Sequence, residues 1–285
     1  MVYDRTLANR LGDILIYVFL GAVSVLTVLP FLYVLSNSFS TTEDIFPREW
    51  TLDAYRYIFS TDKFVRSLGV SVYITALGSL LSLLFTSLMA YGLSGKNIPG
   101  KKAVLMMVLF TILFSGGMIP TYFVVRNLGM IDTYWALMIP GLMSGFYLLV
   151  MKEFFQNVPE EMKEAAQIDG CHELSVFFRI ILPLSLPAMA AFGMFYAVGL
   201  WNQYFSAILY INDNEKWPVQ VLLQQIVVQA SGSIGDSSQM GENMTFYGQS
   251  VRMAVVIVST IPILLVYPFL QKHFAKGVLL GSVKG

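Results

Sequence analysis

Charge is scarce in this 285-residue chain, and its placement excludes more than its scarcity. Only 13% of the residues are Asp, Glu, Lys or Arg while 56% are hydrophobic, a balance unlike that of a soluble globular domain. Six windows of at least 19 positions, 14–42, 67–95, 103–125, 133–151, 180–212 and 253–271, hold no charged residue and no histidine. An ion-coupled carrier needs ionisable groups in its spans to bind or relay ions, so this emptiness argues against one. The chain also lacks a GxxxxGK[ST] phosphate loop; Gly92 to Lys96, GLSGK, has the wrong spacing, so no ATP site is expected on it. Formal charge is zero and no basic block stands out, which excludes nucleic acid as an expected partner. A single cysteine, Cys171, cannot form an internal disulfide. His172 beside it is matched only by the distant His273, so no metal site is expected. No catalytic constellation is visible either, and the chain reads as a non-enzyme.

What is present is apolar length. About 20 residues of helix cross a bilayer core, and a spanning segment has to satisfy its backbone polar groups internally. The windows therefore predict an all-α membrane protein, one domain over 1–285, with six spans near 14–36, 67–94, 103–125, 133–151, 184–210 and 253–271. Arg5 and Arg10 precede the first apolar stretch as in a signal peptide, but that stretch is long and no small-residue cleavage pattern follows it. It reads as an uncleaved first span. With the N-terminus inside, eleven Lys and Arg fall on the cytoplasmic side and seven outside, which predicts both termini in the cytoplasm. The loop after span 1 mixes both charge signs with Trp50, Tyr55 and Tyr57, suiting an external segment at the interface.

One polar insert, NVPEEMKEAAQIDGCHELSVFFRIILPLSLP over 157–187, breaks the oily pattern. Pro159 suits a first helical position, Glu160 and Glu161 suit the first-turn amides, and Gly170 suits a left-handed stop after Asp169. A second amphipathic piece is expected to carry Leu174, Phe177, Phe178 and Ile181 on one side and to end at Pro183.

Glu164-Ala165-Ala166, then Asp169-Gly170, then Ile180, Leu182-Pro183-Leu184 and Pro187, resemble the EAA loop of binding-protein-dependent ABC importer permeases. Two further stretches are similar to the same family, MIPTYFVVRNLGMIDTYWALMIPG over 118–141 and SVRMAVVIVSTIPILLVYPF over 250–269. The ending YPFLQKHFAKGVLLGSVKG resembles the tail of maltose-system G-type permeases and their oligosaccharide relatives. The likeness covers nearly the whole chain and is weakest in the first 60 residues and in 211–250.

The resemblance implies that 157–183 is a cytoplasmic coupling loop between spans 4 and 5. Glu164, Ala165 and Ala166 would be the face that docks on an ATP-hydrolysing subunit, with Asp169 and Gly170 closing the helix. It implies a homologous second permease, a dimeric ATP-binding subunit holding ATP and Mg, and an extracellular or periplasmic sugar-binding protein. The cargo would be a carbohydrate, more in the manner of plant- or algal-derived oligosaccharides than monosaccharides, and the location a bacterial cell membrane. A permease for another solute class, an ATP-independent secondary carrier and a non-transporting scaffold are the alternatives.

Three further features have two readings each. SGGMIPTY, 115–122, predicts a kink or break in span 3, lining a passage or packing by small residues. Trp201, Asn202, Gln203 and Tyr204 either touch cargo or form an interhelical hydrogen bond or an aromatic belt. The segment 211–250 reads as a flexible external loop; there Ser231, Gly232, Ser233 and Gly235 either reach the binding protein or form a solvated connector.

Overall fold

A computed structural model describes residues 7–40, 49–96, 98–231 and 249–281. In chain order its helices are α1 (Leu7–Ser38), α2 (Asp53–Ser60), α3 (Asp62–Ser94), α4 (Lys101–Leu113), α5 (Met118–Asn127), α6 (Trp135–Met138) and α7 (Gly145–Gln156). They continue with α8 (Glu160–Ile168), α9 (Glu173–Leu184), α10 (Leu186–Trp201), α11 (Phe205–Tyr210), α12 (Val219–Ser231) and α13 (Gln249–Gly281). No strand occurs among the described residues, only an isolated bridge between Ser40 and Trp50. The expected all-α class therefore holds.

Three helices, in α1, α3 and α13, are long and apolar enough to cross a membrane, or five spans if the bent pairs α4/α5 and α9/α10 each count as one. Sequence windows do not equal straight helices here. The predicted break in span 3 is a full turn: α4 stops at Leu113, Gly117 takes φ +83°, and α5 leaves at 118° to α4. Pro120 sits in the first turn of α5, where its missing N–H has no intrahelical use. The 133–151 window is not one helix. Pro140 and Gly141 lie in an interruption between α6 and α7, and Ser144 restarts the chain by accepting a hydrogen bond from the Tyr147 N–H at 3.4 Å. The 184–210 window is interrupted too, with a bend of 86° at Ser185 and a break at Asn202 to Tyr204 between α10 and α11.

The chain forms two compact units. In the first, residues 1–62 with 226–260, α1 keeps its apolar window wholly exposed. Its polar side chains turn back on their own helix, as in Ser24 Oγ donating to the Leu20 carbonyl at 2.7 Å. Ser38 Oγ meets Tyr55 OH at 2.7 Å, and Gln249 Nε2 donates to Tyr33 OH at 2.8 Å.

The second unit, 63–225 with 261–285, is organised on α3. Its buried side carries, beside larger residues such as Val70, Ile74 and Leu93, a row of small ones, Ser67, Ser71, Gly78, Ser82, Thr86, Ala90 and Ser94, at spacings of one or two helical turns. At Gly78 an added Cβ would lie 2.8 Å from Leu200 Cδ1 and 3.1 Å from Met138 Cγ, so α6 and α10 pack almost onto the α3 backbone. Two apolar cores result. One gathers Ala90, Leu93, Leu148, Met151, Phe155, Ala166, Val176 and Phe177; the other gathers Val70, Ile74, Val125, Ala136, Leu137, Met138 and Leu200. Together, from Val70 to Leu93, they span about 35 Å of α3 at 1.5 Å per residue. Between them lies a buried polar joint. Tyr196 OH meets Thr86 Oγ1 at 2.7 Å and accepts the Ser144 N–H at 3.0 Å, which ties α3, α7 and α10 together.

Candidate functional site

The 157–187 segment folds as the punctuation of its sequence predicts. Nine residues, Glu160–Ile168, form α8, with Glu160 and Glu161 in the first turn and Pro159 one position ahead of it rather than at its first residue. Gly170 has φ +79°, its N–H reaches the Gln167 carbonyl at 3.0 Å, and the Cys171 N–H reaches the Ala166 carbonyl at 2.9 Å. Those two bonds are the six-to-one and five-to-two pair that closes a helix on a left-handed residue. No atom lies within 4 Å of a Cβ added there, so glycine is required by backbone conformation, not by space.

The second piece differs from expectation. α9 runs to Leu184, past Pro183, because a π turn over Phe177–Ile181 widens the helix just before the proline. A widened turn relieves the clash of the proline ring with the carbonyl four residues back. It also splits the predicted apolar side: Phe177 and Ile181 are buried, Leu174 and Phe178 exposed.

The expected docking face needs a second correction. Glu164 and Ala165 are exposed, but Ala166 is only 7% exposed and packs inward in the core with Val176 and Phe177. The alanine is small for the benefit of the protein's own interior. The outward stripe is Glu161, Glu164, Ala165 and Ile168, spaced three to four residues apart. Ile168, absent from the sequence-based site, is 85% exposed. Asp169, the C-cap residue, is exposed as well.

α8 is fastened at its start to α7 and to Lys96 just beyond α3, and at its end, through Glu173 of α9, to α3. At its start Glu160 pairs with Lys96, just beyond α3, and this carboxylate holds the Lys96 ammonium above the ordinary lysine range. Gln156 Nε2 donates to the Ser94 carbonyl at 3.1 Å, and Lys163 Nζ to the Phe155 carbonyl at 3.5 Å. At its end Gln167 Nε2 donates to Glu173 Oε1 at 2.7 Å, while Tyr91 OH donates to Glu173 Oε2 at 2.7 Å. The Tyr91 ring lies 5.2 Å from that of Phe177.

The second predicted group lies far from this segment. Trp201 is buried at the end of α10. Asn202 Nδ2 bonds the Val198 carbonyl at 2.9 Å, and Gln203 Nε2 bonds the Leu137 carbonyl at 2.9 Å, joining the α10/α11 break to α6. Tyr204 packs on the core around Leu137 and Tyr210. The interhelical hydrogen-bond reading fits Gln203.

The first part of 211–250 is structured, contrary to a flexible loop. Asp132, with φ +63°, receives the N–H groups of Asn212 at 3.1 Å and Asp213 at 3.0 Å on Oδ1, and Lys216 Nζ on Oδ2 at 2.9 Å. Lys216 first, then these amides, hold the Asp132 carboxyl below the usual carboxylate range. Arg66 pairs with Glu215 at 2.7 Å, and α12 follows as a helix of 13 residues. Ser231 is the last residue of α12, while Gly232, Ser233 and Gly235 lie outside the described residues. No cluster of three metal-ligating side chains occurs among the described residues.

Comparison with known proteins identifies the family. Residues 102–280 match the family described as binding-protein-dependent transport system inner membrane component. The polygalacturonan/rhamnogalacturonan transport system permease protein YtcP of Bacillus subtilis is 54% identical, over 97% of this chain and 99% of its own. Protein LplC of the same organism is 50% identical, over 99% and 97%. In structure the chain is similar to one from a bacterial ABC transporter involved in import of the acidic polysaccharide alginate, with a TM-score of 0.86 and 29% identity over 96% of this chain and 99% of that one. A match spanning more than half the chain, together with relatives at this identity along its whole length, leaves one conclusion: the chain belongs to the inner-membrane components of binding-protein-dependent transport systems and is a permease subunit, not an enzyme.

Proposed function

We propose that this chain is one permease half of a bacterial ATP-driven oligosaccharide importer and that α8 receives the movement of a separate ATPase. The observation that carries this reading is Ile168, an isoleucine exposed at the end of a nine-residue helix otherwise fastened to its own protein. A lone exposed apolar side chain is ordinary, but Ile168 closes a continuous stripe on a short polar helix, an apolar group within a polar rim that suits a protein contact. Glu161, Glu164 and Ala165 complete the stripe. The partners are a homologous second permease, a dimeric subunit that binds ATP and Mg, and an external sugar-binding protein.

The membrane arrangement has six crossings: α1, α3, α4/α5, the interrupted α6/α7, α10 with α11, and α13. The excess of Lys and Arg on one side supports cytoplasmic termini and a cytoplasmic α8. ATP closes the ATPase pair, the two coupling helices approach, and the spans rock to open the cavity outward; hydrolysis resets them. The relatives named for polygalacturonan and alginate transport support a uronate-bearing oligosaccharide as cargo.

The test is reconstitution in vesicles with the co-purifying partner subunits and trigalacturonate. ATP-dependent uptake that stops when the ATPase subunit is omitted is the expected result. Uptake by the chain alone would sink the importer assignment, and uptake of neutral but not acidic trisaccharides would sink the cargo.

A further inference from the structure

We infer that Glu173 is a positioning residue that locks the coupling helix α8 to the end of α3, so that the ATPase stroke enters α3 directly. This rests on the reading of α8 as the coupling helix. Along the chain, α8 leads into α10 only through the Gly170 turn and the π turn of α9, two places where the backbone is easily redirected. A push carried by that route alone would be spent in bending.

Glu173 bypasses both. Its two carboxylate oxygens accept from different elements, Oε1 from Gln167 on α8 and Oε2 from Tyr91 on α3, each at 2.7 Å. Hydrogen bonds to an ionised acceptor are the strong kind and fix direction as well as distance. The Tyr91 ring rests on the fully buried Phe177, which holds the hydroxyl in line. With Lys96, just past the end of α3, paired to Glu160 at the other end of α8, the helix is tied toward α3 at two places, one through Lys96 and one through Glu173, and two ties resist pivoting. The small-residue face of α3 and the Thr86–Tyr196–Ser144 joint then pass the displacement on to α7 and α10.

The experiment uses the assembled importer in lipid vesicles, with Cys171→Ser and a fluorophore on Gly92→Cys, where nothing lies within 4 Å of the new side chain. Two readouts are taken: the change in emission on adding Mg-ATP and the rate of ATP hydrolysis. Glu173→Ala should lower the ATP-driven change at α3 at least fivefold while hydrolysis stays within twofold of the parent. Tyr91→Phe, which keeps the ring on Phe177 and removes only the hydroxyl, should do the same, and the double variant should be no worse than either. Glu173→Gln, retaining one acceptor oxygen, should restore part of the signal. A purely structural role would lower assembly and hydrolysis together. Should Glu173→Ala fail to assemble, Tyr91→Phe decides alone. An undiminished signal in the assembled variants, or losses that simply add in the double variant, would overturn the assignment. A parent complex silent to ATP would overturn the coupling role of α8 itself.

Discussion

The two ends of α3 are fastened by opposite strategies. Around Asp132 the charges are spent internally: one carboxylate takes two backbone N–H groups and a lysine, and Arg66 takes Glu215. Around α8 the charged groups also bind at home, Glu160 to Lys96 and Glu173 to the Gln167 amide, yet an apolar side chain is left facing out at Ile168. The first end is built to hold its own loop. The second is built to hold a helix steady while something else grips it.

That contrast can be broken at several points. The largest effect is expected from Ile168→Asp, which should reduce co-purification of the ATPase subunit at least tenfold while the thermal midpoint of the isolated chain in detergent stays unchanged. Normal association would mean that the exposed stripe is not the gripped face. Next, Asp132→Ala should speed amide hydrogen exchange across 211–217 at least tenfold and leave ATPase association intact; protection equal to the parent's would show that the clasp holds nothing. Because the Asp132 carboxyl is held below its ordinary value of 3.8, its contribution is fully present above that pH and is lost as pH falls through the lowered value. Protection of the Asn212 and Asp213 amides should therefore be flat from about pH 7 to pH 5 and decline only below about pH 3.8.

Gly170→Val sharpens the comparison at the other end. A β-branched residue held at φ +79° costs about 1–2 kcal/mol of backbone strain. Nothing crowds the position, so the spans should insert normally while uptake per ATP falls; unchanged uptake would count against the turn. The smallest effect belongs to Gly78→Ala, between the two ends. The atom it meets most closely, Leu200 Cδ1, is the tip of a flexible side chain, and alanine gains about 0.5–1 kcal/mol in helix propensity. The thermal midpoint should move by no more than a few degrees, whereas Gly78→Ile should lower it clearly.

Much of this was legible in the residues, and the failures have causes. Gly170 announced its turn because few residues but glycine tolerate a left-handed backbone. Ser115 to Gly117 announced the break in span 3 for a related reason. The 133–151 window misled because freedom from charge measures solubility in lipid, not continuity of helix, and Pro140 with Gly141 was outweighed by hydropathy. Ala166 was placed with Glu164 and Ala165 by the resemblance, which says nothing of the packing against Val176 and Phe177 that turns it inward. The Tyr91–Glu173 link spans 82 positions and leaves no local trace. Asp132 likewise shows only that a short polar side chain tolerates the left-handed region; its partners lie some 80 residues onward.

The joint at Tyr196 has a consequence for biogenesis. Its hydroxyl unites residues 86, 144 and 196, so the knot stays untied until more than two thirds of the polypeptide has been made. Until then Thr86 and the Ser144 amide lack the hydroxyl that joins them. Ribosome-bound chains halted before and after Tyr196 emerges should differ sharply in protease sensitivity around the 139–144 interruption.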